Sequence, residues 1–256
     1  YICQAFFKYF ILSYFCYDKL KGEVLQDFIQ YIYSAFERIA DFSDQQKIIL
    51  LGLICGLLIA IFLYPLLRIL VTLLHEFGHA LAAKITFGKV YRIHLNHDSS
   101  GLTQTSGGGR SFFVLLMGYP MPLLFGCLFS WFLIINHPEF ILISLLIVSL
   151  SVLIVVKNWY GFLICLLGIL ITGALLYFGQ IQIFNFMGGA LIGFLTLGAF
   201  IDLRVIFHKN EELSDADLLH EKFQIIPAFV WKLIFLLMMS SCLFLIIITF
   251  KTLFSK

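Results

Sequence analysis

Apolar residues dominate about six long stretches of this chain, and polar positions are largely confined to the connections between them. A helix crosses a bilayer with roughly 20 mainly apolar residues, because every backbone amide must be paired where there is no water. That rule predicts spans near Ile48–Val71, Ser111–Ile135, Phe140–Val156, Trp159–Phe178, Phe184–Ile206 and Pro227–Phe250. Pro65 is expected to kink the first span, which then runs on as a helix toward Lys84. Upstream, Leu25, Phe28, Ile29, Ile32, Phe36 and Ile39 recur at helical spacing with Asp27, Gln30, Glu37 and Arg38 between them, an amphipathic helix suited to the membrane surface. Ser43 followed by Gln46 reads as a capping box opening the first span. The aromatic stretch Tyr1–Tyr17, interrupted by Gln4 and Lys8, fits either a seventh span or more interfacial helix. The chain thus divides into an N-terminal membrane-associated segment, 1–46, and an all-α multi-pass domain, 47–256.

One sizeable polar insertion separates the first two spans. Ile93 and Leu95 alternate with Arg92, His94 and Asn96, a turn-like HDSSG follows, and Leu102 and Gln104 alternate with Thr103 and Thr105. This is the pattern of a short β-hairpin. Ser106 to Arg110 forms a Gly-rich joint without the Lys-Ser/Thr ending of a phosphate loop.

Composition agrees with the pattern: 61% of residues are hydrophobic and 12% charged, and the mean hydropathy is +0.99. A formal net charge of +2, with basic residues scattered through loops, provides no footprint for nucleic acid. Lys84, Lys89, Arg92, Arg110, Lys157, Arg204, Lys209, Lys222 and Lys232 fall on one side of the membrane; Arg38, Lys47, Lys251 and Lys256 fall on the other. The positive-inside rule then puts the hairpin in the cytoplasm. The six cysteines stand singly and form no CxxC pair.

Against this background "LHEFGHA", residues 74–80, is costly. Ionisable groups inside a span are retained when they pair or bind a metal. On a helix His75 and His79 project from one face, so two imidazoles can meet one ion, with Glu76 beside it as proton acceptor. Catalytic zinc takes three protein ligands. Asp202, in "LGAFIDLRVIF" at comparable depth, is the leading candidate for the third, with an ion pair to Arg204 or Arg68 as its alternative. Asp215 and Asp217 compete, although Ser214 followed by Asp217 reads as a helix N-cap. His94 and His97 read as surface histidines of the hairpin. Gly78 would let a neighbouring helix or a substrate approach the metal-bearing face, and Gly118, Tyr119 and Pro120 suggest an irregular start to the second span near the site.

The order HEFGHALAAKITFGKVYRIHL, SSGLTQT, GGGR, MGYPMPLLFG, FIDLRVIF, LSDADLL and IPAFVW resembles the site-2-protease-like intramembrane zinc metalloproteases, in their compact bacterial-type branch. The resemblance runs from about Ile48 to the last span. It implies a Zn²⁺-dependent endopeptidase in a bacterial cell membrane, acting on membrane proteins through their transmembrane segments. His75 and His79 would be ligands and Glu76 the base. The Asn-Pro-Asp-Gly motif that presents the third ligand in better-known members is missing, and no peptide-binding domain is inserted. Substrate is expected to bind extended along the hairpin, through Ile93, Leu95, Leu102 and Thr103. A catalytically silent scaffold of the same fold and a metal-ion transporter are the alternative functions.

Overall fold

The computed structural model describes residue 30 and residues 42–106, 111–207 and 213–255. The N-terminal aromatic stretch, the surface helix apart from Gln30, and residues 107–110 of the Gly-rich joint lie outside them. Two compact units divide the chain at Lys47 and Ile48, and the second, Ile48–Lys256, carries every candidate residue.

Helix α1 (Asp44–Phe62) opens on the expected capping box, with the Ser43 N–H donating to Gln46 Oε1 at 2.9 Å and the Gln46 N–H to Ser43 Oγ at 3.3 Å. Its pattern is that of a helix in lipid. Leu51, Ile54, Leu58 and Ile61 are exposed at helical spacing, while Gly52, Gly56 and Ala60 are buried. A methyl group on Gly52 or Gly56 would collide with the backbone of Phe186 or Ala190. Gly189 and Gly193 of the facing helix meet the backbone of Ile49 and Leu53 in the same way. Small residues four apart on both helices let backbones approach where hydrophobic burial offers no gain.

The expected kink is a true interruption. Pro65 has no N–H to donate and its ring crowds the preceding turn, so the helix stops at Phe62. It resumes as the short α2 (Tyr64–Leu67), and α3 (Ile69–Ile85) follows after Arg68. A hairpin comes next, β1 (Val90–Leu95) and β2 (Gly101–Thr105), antiparallel, with Ile93 opposite Thr103, Leu95 opposite Gly101 and a bulge between Val90 and Arg92. Helices α4 (Ser111–Met117) and α5 (Met121–Ile134) meet at a 63° bend across Gly118–Pro120. They are followed by α6 (Glu139–Val155), α7 (Trp159–Phe178), α8 (Ile181–Phe207), the short α9 (Asp215–Lys222) and α10 (Ala228–Phe254).

Among the described residues α1, α7, α8 and α10 are long and apolar enough to cross a membrane, and the bent pair α4–α5 makes a fifth span if it crosses as one. Helix α6 is apolar but has 17 residues. The fold is therefore an all-α multi-pass membrane protein with one small sheet. Helix α5 lies centrally, packed against α8 and α10, and the Thr249 hydroxyl of α10 donates to Ser130 of α5 at 2.9 Å.

Candidate active site

Helix α3 carries the His-Glu-His set on its buried side: Glu76 is 4% and His79 5% exposed. The Nε2 atoms of His75 and His79 stand 3.0 Å apart. The third corner comes from α9, where Asp215 places Oδ2 3.3 Å from each of them. That oxygen is buried and has no properly directed hydrogen-bond donor among the described residues. Burial opposes its charge, but His79 and His75 beside it hold the Asp215 carboxyl well below the usual carboxylate range. The three ligand atoms form a group that could hold a metal ion. A tetrahedral ion bound at roughly 2.0–2.1 Å keeps its ligand atoms roughly 3.3 Å apart. The observed triangle fits such an ion.

Neighbours orient the set. His79 Nδ1 lies 2.7 Å from the Val114 carbonyl of α4; donating its proton there leaves Nε2 with a lone pair for a metal. Tyr119 stands edge-on to the His75 ring, centroids 4.7 Å apart. Gly118, at the bend between α4 and α5, lies so close that a Cβ would sit 2.6 Å from His79 and 2.7 Å from His75. The irregular start to the second span thus lies directly against the histidines. Gly78 admits α4, whose Met117 carbonyl would stand 2.6 Å from a Cβ there. Asp215 is presented by a helix start in which Ser214 Oγ accepts from the Asp217 N–H at 3.3 Å and Asp217 Oδ2 accepts from the Ser214 N–H at 3.0 Å. Ala216 and Leu219, fully buried, seat α9 against α4 and α10.

The hairpin docks on the same face of α3, one turn apart at two points. Thr72 Oγ1 donates to the Ser99 carbonyl at 2.7 Å, and Thr103 Oγ1 donates to Glu76 Oε2 at 2.5 Å. The outer edge of β1 is occupied. The Lys157 N–H donates to the Ile93 carbonyl at 3.1 Å, and the Asn158 amide takes both backbone groups of Leu95. In an antiparallel ladder, successive residues turn their N–H and C=O to opposite edges, and two directly opposed residues turn theirs either both toward each other or both outward. Ile93 and Leu95 point outward from β1, so their partners Thr103 and Gly101 point outward from β2. Among the described residues no backbone group pairs with that edge.

Residues 47–246 match the family model described as Peptidase M50B-like. The chain belongs to the Peptidase M50B-like family. No curated protein and no solved structure matches it.

Against the expectations from sequence, this M50B-like chain brings His75, Glu76 and His79 together as read but replaces the third partner. Asp202 is not in the cluster; its Oδ1 accepts from Arg68 Nε at 2.8 Å, the alternative of an ion pair. Ser214 and Asp217 explain each other through the cap, which left Asp215 as the unexplained carboxylate of "SDAD", the signal that could have identified it. The expected strand contacts also change. Ile93 and Leu95 are completely buried, and Ile93 is bridged at its outward edge to Val156 and Lys157 and Leu95 to Asn158, so they are core of the hairpin rather than a substrate surface. Leu102 is 58% exposed on the far face of β2, and Thr103 offers the open edge. His97 is exposed and packs on Tyr160 at 4.1 Å, and neither it nor His94 joins the metal group.

Proposed function

We propose that this M50B-like peptidase is an intramembrane zinc metalloprotease that hydrolyses peptide bonds in or near transmembrane segments of membrane proteins. The observation that carries the reading is the convergence of His75, His79 and Asp215 beside a buried glutamate. Zinc held by those three would supply the Lewis acid that activates water and polarises the scissile carbonyl. Glu76 takes the proton of the attacking water and returns it to the leaving amine. His79 is kept in the ligating tautomer by the Val114 carbonyl.

A transmembrane helix hides its peptide bonds behind its own hydrogen bonds, so the substrate must be held unwound. The outward N–H and C=O groups of Gly101 and Thr103 offer a strand edge for this, and β1 does not. The basic residues before and within the hairpin, Lys84, Lys89 and Arg92, favour a cytoplasmic position for this face. The bilayer is the solvent for the outward faces of the spans.

The test is reconstitution of the full chain with a labelled single-span substrate, with a zinc chelator as control. Chelator-sensitive cleavage within or beside the span supports the reading. Absence of cleavage across a broad panel of spans, from protein carrying one zinc, would favour the silent scaffold of the same fold.

A further inference from the structure

We propose that Thr103 is a positioning residue for Glu76, and that the hairpin thereby couples engagement of the substrate strand to alignment of the base. The inference rests on the protease reading above.

Thr103 has two separable parts. Its side chain leaves β2 toward α3, where Oγ1 lies 2.5 Å from Glu76 Oε2 and 3.2 Å from the Glu76 carbonyl. A hydroxyl has one proton, and the shorter contact to a carboxylate is the stronger, charge-assisted one. Its backbone lies in the plane of the sheet, with N–H and C=O at the free edge. The other Glu76 oxygen is confined by Gly101, where a Cβ would stand 2.5 Å from Oε1. Glu76 is therefore wedged between Gly101 and Thr103, two residues of β2 whose backbone groups face outward.

The wedge is anchored. Thr72 lies one helical turn before Glu76 and fixes the hairpin turn through the Ser99 carbonyl at 2.7 Å, and Asn158 fixes β1 from behind. Only the outer edge of β2 lacks a partner among the described residues. An extended peptide that adds there pairs with Thr103 itself and stiffens the strand that aims the base. A carboxylate that must receive a proton from a positioned water is sensitive to errors of about 1 Å, so this coupling favours turnover when the edge is filled.

The experiment compares Thr103→Val and Thr103→Ser in the reconstituted full chain. Valine keeps the β-branched shape and the backbone edge but has no hydroxyl; serine restores it. Thr103→Val is expected to retain one zinc and a KM within about twofold while kcat falls about 10- to 100-fold, and Thr103→Ser to recover most of the kcat. An unchanged kcat in the valine variant, a loss confined to KM, or a serine variant as impaired as the valine one would each overturn the proposal. A readout independent of turnover separates it from the protease reading. Thr103→Val should lower the Tm by about 2–4 °C in the wild-type background and by less in a Glu76→Ala background, because the lost contact is already gone. If the wild type cleaves nothing, the protease reading fails, and equal Tm shifts in the two backgrounds would overturn the Thr103–Glu76 coupling as well.

Discussion

Asp215 sets a carboxylate oxygen 3.3 Å from Nε2 of His79, bringing the start of a short helix late in the chain against the centre of α3. The same oxygen is 3.3 Å from His75. The group that could hold a metal is therefore closed by an element separate from the one that carries the motif, with α9 seated on α4 and α10.

Asp215→Ala is expected to leave a two-ligand site and to lose stoichiometric zinc, whereas Asp202→Asn should keep it. Metal analysis of the purified variants decides this. Full zinc in Asp215→Ala, with loss in Asp202→Asn, would reverse the assignment.

Gly118→Ala should weaken zinc binding by about 10- to 100-fold, the range seen when groups supporting a ligand are disturbed. Its methyl would press on both imidazoles, at 2.6 and 2.7 Å. Gly173→Ala is the control, since a Cβ there meets nothing within 4 Å. Competition with a chromogenic chelator measures both; equal affinities would show that the bend tolerates a side chain.

The contact of Arg68 with Asp202 ties the start of α3 to α8. Truncating either partner to alanine strands the other and should cost about 1–3 kcal/mol. The double truncation should cost less than the sum. Thermal unfolding in detergent is the measurement, and strict additivity would mean that the two side chains do not interact in solution.

What could be read from sequence was local. HEFGH needs only helical spacing to bring His75, Glu76 and His79 onto neighbouring positions, and the alternation around Ile93 and Leu95 needs only a two-residue period to indicate a strand. Pro65 signalled a break, and the helix does stop at Phe62 and restart at Tyr64. The third corner was not local. Asp202 lies near the end of an apolar span and Asp215 in the polar connection after it, and the choice between them lies in which one meets Arg68 and which one meets the two histidines. The free edge of the hairpin was equally hidden, because it is Val156, Lys157 and Asn158, far along the chain, that occupy β1 and leave β2 open.

The most direct test of the account is Glu76→Gln, which keeps the size and hydrogen bonding of the side chain but removes the proton acceptor. The variant should bind one zinc through His75, His79 and Asp215, unfold at nearly the wild-type temperature, and cleave a single-span substrate slower by about two to four orders of magnitude. Cleavage by Glu76→Gln at the wild-type rate, with zinc in place, would contradict it.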